Sequence, residues 1–293
     1  MRNDWVKCGN TLKKKHLRMT LIPNARSLLD LFERASEKWF GYGNWAAPYW
    51  FVGKDQGGSE DDDHVGWEKV WHDLGEKELI DCRNHHQKMG RHGNFLWHGQ
   101  NARIQNTWGS PIRLLLSFKN PTSIPGEEAI RDYQKTRWGA QDGETVVAEI
   151  RGGRAKSDDH SNPWRDKYLM ERIRIYRDRL MEHSPVFVLF YGSVKVGGQE
   201  AYQMIIKEPF ADLPGLVVRK AEKENPFAQY AWSNSTLALH VPHPTAHGAN
   251  RKDLWVELGI RMRKMIEEKK APQKTVRFLI KNPKILGEKT DSS

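Results

Sequence analysis

Between Pro185 and Gly192 the chain reads Val186-Phe187-Val188-Leu189-Phe190-Tyr191, apolar or aromatic at every position. A strand with one face in water alternates apolar and polar side chains. An unbroken apolar run must therefore be covered on both faces, as in a parallel sheet held between two layers of helices. Three other segments read as strands: Tyr49 to Val52, residues 145–150 and residues 236–241. Helical spacing fills the intervals. Asn24 can cap a helix with Leu28, Leu31, Phe32, Ala35 and Trp39 on one face, entering the first strand through an aromatic, glycine-rich loop at residues 40–45. Trp67, Val70, Trp71 and Leu74 mark a short amphipathic helix. Ser110-Pro111 opens one through Leu114, Leu115 and Phe118, and residues 127–138 form another. A helix entered at Pro163 turns Leu169, Ile173, Tyr176 and Leu180 inward and leaves Arg172, Arg174, Arg177 and Arg179 mostly on other, solvated faces. Residues 199–207 and a closing helix with Leu254, Trp255, Leu258, Met262 and Met265 complete the set. The expected fold is α/β, a three-layer α/β/α domain around a central, mostly parallel four-stranded sheet. A basic arm at 1–20, one domain at 21–269 with a long loop insertion at about 60–108, and a basic tail at 270–293 divide the chain.

Composition narrows the function. The 293 residues carry 47 Lys and Arg against 37 Asp and Glu, a formal charge of +10 that favours a polyanionic partner, nucleic acid first. Twelve tryptophans in so polar a chain anchor helices to the sheet, with some left to line grooves. Cys8 and Cys82 are too few for a disulfide framework or a four-cysteine iron–sulfur cluster, which points to a reducing cytosol. The start, with Lys13-Lys14-Lys15 and no apolar stretch after it, is not a secretory signal, and no run is long enough to span a membrane.

Right-handed crossovers between parallel strands gather the loops after them on one edge, where open sheets bind ligands. That edge would collect Asp55, Glu149, Ser193 and His243. An acid and a histidine facing each other there suit hydrolysis, the acid handling water or a cationic intermediate and the histidine a leaving anion. Glu60-Asp61-Asp62-Asp63 reads as a solvated helix entry or a local negative control on DNA approach, with a metal site as a further alternative. Residues 81–108, with Cys82, His85, His86, His92 and His98, fit no standard zinc spacing and read as a long functional loop.

At these residues the sequence resembles the uracil-DNA glycosylase superfamily. Classical members carry Gly-Gln-Asp-Pro-Tyr-His after the first strand, and Gly53-Lys54-Asp55-Gln56-Gly57-Gly58 stands in that place. Their late His-Pro-Ser, before a loop that wedges into DNA, is matched by His243-Pro244-Thr245 followed by Ala246-His247-Gly248-Ala249-Asn250. Glu149-Ile150 falls where their base-reading asparagine ends the second strand. The likeness runs from Asn24 to Met265 by order of elements.

The resemblance implies a uracil-DNA glycosylase-like fold and, as partner, DNA containing uracil or another damaged base. It implies catalysis by Asp55 and His243, and base contacts from Gly53, Gln56, Glu149 and Phe95 or Trp97. DNA contacts would come from Lys54, Ser193, Lys195, Thr245, His247, Asn250 and Arg251. It further implies a monomer that needs no cofactor or metal and works in a bacterial-type cytoplasm at the nucleoid. The usual Pro-Tyr after the aspartate is absent, and an ionised Glu149 could only accept hydrogen bonds where an amide also donates, so the range of bases is expected to be wider than uracil. Two rivals stay open. One is a metal-dependent hydrolase using His240, His243 and His247 with Asp55 and Glu60, against which Pro242 and Pro244 break any helical alignment; the other is a nucleic-acid-binding protein that has lost catalysis.

Overall fold

A computed structural model of the chain describes residues 25–57, 64–90, 94–155, 166–207, 217–218, 229–232, 235–246 and 251–270. The basic arm, the acidic patch, Asn24, His92, Pro163, His247, Asn250 and the tail from residue 271 lie outside them.

In chain order the elements are α1 (Ala25–Lys38), β1 (Gly41–Tyr42), β2 (Tyr49–Gly53), β3 (Gln56–Gly57), α2 (His64–Asp73), β4 (Leu79–Ile80), α3 (Cys82–Lys88), a π-helical turn (Asn94–His98), α4 (Asn106–Lys119) and α5 (Glu127–Thr136). There follow β5 (Thr145–Glu149), β6 (Arg154–Ala155), α6 (Leu169–His183), β7 (Phe187–Tyr191), β8 (Lys195–Val196), β9 (Gln199–Glu200), α7 (Ala201–Ile206), β10 (Val217–Val218), β11 (Gln229–Trp232), β12 (Leu237–Val241) and α8 (Lys252–Lys270).

The main sheet is mixed and has eight strands, in the order β10-β11-β12-β7-β2-β5-β1-β4. The four strands anticipated from sequence are its centre: β12, β7, β2 and β5 are neighbours paired in parallel. The extension beyond four corrects the sequence reading. On one side β1 runs antiparallel to β5 and pairs in parallel with β4; on the other, β11 and β10 add antiparallel strands. These additions are two to four residues long, too short to show a period of their own. Residues 40–45, expected as a loop, thus contain β1.

Alternate side chains of the apolar strands feed two cores. Phe51, Val147, Leu189 and Leu239 pack with Leu31 of α1 and Trp39 just after it, Leu114 and Phe118 of α4, Ile130 of α5 and Trp255 of α8. Trp50, Val52, Val146, Ala148, Val188 and Phe190 pack with Leu169, Ile173, Tyr176 and Leu180 of α6 and with Tyr202 and Ile205 of α7. Helices therefore cover both faces, which is why the strands could be apolar throughout.

Three local expectations fail. Residues 81–108 are not one long loop, since α3 and the π-helical turn lie within them. α4 begins a turn before Ser110-Pro111 because the Gln105 side chain caps it, accepting from Trp108 N at 2.7 Å, so Pro111 sits inside the helix. Arg172 is not solvated. It is fully buried between α6, the end of α1 and the end of β5. Its Nε donates to Ile150 O at 2.8 Å, Nη2 to Glu149 O at 2.8 Å, and Nη1 to Ser36 O at 3.1 Å and Trp39 O at 3.0 Å. Burial lowers its pKa to about 10, which still leaves it charged at neutral pH. Its guanidinium also lies 4.0 Å from the Phe40 ring centroid. A planar five-donor group matches this fan of carbonyls, and a lysine cannot. Arg172→Lys is expected to lower stability by about 3 kcal/mol or more, the cost of leaving several buried carbonyls unpaired. Urea unfolding would measure it, and a loss below about 0.5 kcal/mol would show that Arg172 is not a clamp.

Candidate active site

The site lies where β2, β5, β7 and β12 end. Gly53 closes β2 opposite Glu149 of β5. A Cβ on Gly53 would stand 2.1 Å from Glu149 Oε2 and 2.6 Å from Tyr191 Cε2, so the carboxyl and the ring meet directly above the glycine. No larger residue fits there. Glu149 Oε2 and the Tyr191 hydroxyl are buried, and neither has a hydrogen-bond partner among the described residues. Burial, then the neighbouring Asp55 charge, push the Glu149 carboxyl well above its ordinary range, against a smaller opposing pull from Arg172. Burial and the Asp55 charge thus favour the protonated acid, the form that both donates and accepts. The sequence reading considered only the ionised carboxylate, because the burial and the charge come from residues distant in sequence.

Asp55 follows on the strand-end loop. Its carboxylate lies 3.6 Å from Lys54 Nζ and 3.8 Å from Arg151 Nη1, and Arg151 Nε reaches Asp166 at 2.8 Å. Gly192, after β7, has φ 80°, a conformation that favours glycine, and its open side faces Lys54 and His243. His243 sits after β12, its ring edge-on to Tyr191 with centroids 5.8 Å apart. Thr245 N donates to His243 Nδ1 at 3.3 Å, and Thr245 Oγ1 lies 2.9 Å from the same nitrogen. An Nδ1 that accepts leaves the ring proton on Nε2. Burial, then Lys54, lower the His243 pKa, while Asp55 opposes them, so the imidazole is neutral and offers an Nε2–H.

The structure thus brings together Gly53, Lys54, Asp55, Glu149 and His243, with Thr245 as the histidine's support. Tyr191 and Arg151 join them; the sequence showed them only as a strand residue and a turn residue. Others of the predicted residues have different partners. Ser193 donates to Glu200 Oε1 at 2.7 Å, Lys195 is exposed in the β8–β9 ribbon, and Arg251 pairs with Asp253. Trp97, in the π-helical turn, has its ring beside Trp108, with centroids 6.3 Å apart. The backbone of Gln56 pairs with Arg154; its side chain and that of Phe95 lie outside what is described. His240 stacks on Tyr202 at 4.0 Å and bonds Gly192 O at 2.8 Å, which supports the Gly192 turn. Among the described residues, the ligand-spaced group of histidine, cysteine and acids is elsewhere, so His240, His243 and Asp55 do not form one.

Beside His243 opens a groove of about 850 Å³. Arg103, Arg113, Arg131 and Lys252 line it with Glu127, and Pro244 and Thr245 form its border toward the site. No protein-family model matches the chain, and no curated protein matches it.

Glu149 gives the site a pH signature. Its folded pKa stands above the ordinary 4.5, so above pH 4.5 the unfolded chain gives up this proton while the folded chain keeps it. Stability tied to this group is whole below that pH and falls as pH rises. Glu149→Gln keeps the shape and removes the titration. The variant should gain on wild type steadily as pH rises from about 4 to about 8 in urea unfolding, and parallel stability curves would show that Glu149 is ionised in the fold.

Proposed function

We propose that this chain is a DNA glycosylase that hydrolyses the N-glycosidic bond of uracil or a related damaged base, on a three-layer fold of the uracil-DNA glycosylase type. The observation that carries the reading is the pairing of Asp55 and His243 on one sheet edge, close enough for the aspartate to act on the histidine's titration, with Glu149 at the end of β5 beside Gly53 of β2. The four adjacent parallel strands, with the motif residues at their carboxyl ends, support the same fold type.

The cations along the groove suit the phosphates of a DNA strand, and extrusion of one nucleotide would bring its base to Tyr191, Gly53 and Glu149. Protonated Glu149 donates through its O–H and accepts through its other oxygen, as an asparagine amide would through its own two groups. Unpartnered buried polar atoms on Glu149 and Tyr191 are what a base edge would satisfy. Water adds to the sugar carbon as the bond to the base nitrogen breaks, and the electron pair leaves with the base. His243 Nε2–H meets the negative charge that develops there. Asp55 stabilises the cationic sugar, orients the water and takes its proton.

Asp55→Asn and His243→Ala are each expected to slow uracil release from DNA by about 10²-fold or more, scored as abasic-site formation in single-turnover assays. Glu149→Gln, which keeps a donor and an acceptor, should retain far more activity than Glu149→Leu. Undiminished release by both Asp55→Asn and His243→Ala would refute the mechanism. Tight DNA binding by wild type with no release from any damaged base would instead mark a binding protein.

A further inference from the structure

Far from the strand-end site in topology, Cys82, His86 and His98 converge in the interior. Cys82 opens α3 behind the Asp81 cap, and His86 follows one turn later on the same helix face. His98 closes the π-helical turn and faces both. Cys82 Sγ lies 3.5 Å from His86 Nδ1 and 3.8 Å from His98 Nε2, and the two nitrogens are 2.9 Å apart. Ligand atoms on one tetrahedral zinc, with bonds of about 2.0–2.3 Å, stand roughly 3.3–3.6 Å from each other. The Cys82–His86 separation matches that spacing, and the other two, 2.9 and 3.8 Å, lie on either side of it, within reach of a small adjustment on binding.

A second observation concerns the far side of His98. Its Nδ1 faces Lys135 O of α5 at 3.4 Å, and a carbonyl only accepts. The proton therefore sits on Nδ1, and Nε2 turns its lone pair into the triangle. A backbone carbonyl behind the ring is how metal-bound histidines are usually oriented.

We propose that Cys82 Sγ, His86 Nδ1 and His98 Nε2 bind one divalent transition-metal ion of the zinc type, with a fourth position for water or another donor. One thiolate and two imidazoles are a zinc-like donor set, too soft for magnesium or calcium. Binding sends the thiol proton to solvent and keeps the His86 proton on Nε2. The role is structural. β4 runs parallel to β1 and β1 antiparallel to β5, so Cys82, two residues past β4, lies at the sheet edge opposite Glu149. Cys82 N donates to Gly139 O, and Gly139 N to Thr145 Oγ1 at the start of β5. The ion would tie α3 to the π-helical turn and, through Lys135, to α5. This inference does not depend on the glycosylase reading.

The test uses full-length protein made without an affinity tag or chelator, assayed by elemental mass spectrometry and, after growth in cobalt, by visible absorption. Expected are about one metal per chain and a cobalt spectrum with tetrahedral ligand-field bands and a thiolate charge-transfer band. Cys82→Ser should abolish the charge-transfer band, and His98→Gln should weaken binding by about 10-fold or more. Where a variant does not fold, wild type decides alone: chelation should lower Tm and added zinc restore it. Metal-free wild type whose Tm ignores both chelator and zinc, or a bound metal whose cobalt spectrum survives Cys82→Ser, would overturn the proposal in favour of a hydrogen-bonded thiol–imidazole cluster.

Discussion

One buried guanidinium holds the two halves of the site's scaffold in register. Arg172 reaches from α6 to the carbonyls of Ser36 and Trp39 at the end of α1 and to those of Glu149 and Ile150 at the end of β5. The positive charge is stabilised there by the carbonyl end of a helix as well as by hydrogen bonds. Tyr176, one turn further along α6, adds a donor to Glu149 O at 2.8 Å. The backbone of Glu149 is thus fixed from behind while its carboxyl projects over Gly53.

That arrangement separates two carboxylic acids by environment. Glu149 is buried among Tyr191, Gly53 and the strand ends, which favours its protonated form. Asp55 lies on the loop with Lys54 Nζ at 3.6 Å and Arg151 Nη1 at 3.8 Å. Two acids in such different surroundings can take different roles in one reaction. His243 completes the set as a neutral donor because Thr245 occupies its Nδ1. In the proposed glycosylase these are the base reader, the group facing the sugar and the group facing the departing base. The proposed metal at Cys82, His86 and His98 would serve the opposite end of the sheet, where β1 and the edge strand β4 are only two residues long.

Much of this was legible from the chain. The run from Val186 to Tyr191 dictated a sheet covered on both faces, and the inward faces of α1, α6 and α8 followed from apolar spacing. Asp55 and His243 could be assigned to one edge because each follows an apolar strand. Tyr191 was not legible as a site residue, since it looks like the last member of a core strand. Arg172 looked like one of four arginines on a polar face, and nothing local distinguishes it. Cys82, His86 and His98 match no linear metal pattern because the third donor comes from a separate turn.

The sequence by itself determined the α/β class, the four central strands and the two motif loops, because burial periodicity and turn chemistry are local properties. The tertiary structure alone decided that the sheet extends to eight strands, that burial and Asp55 favour the protonated form of Glu149, that Arg172 is buried and that a cysteine and two histidines meet in space. Each of those depends on which distant groups share a low-dielectric neighbourhood, and charge, hydrogen bonding and coordination act through space without regard to separation along the chain.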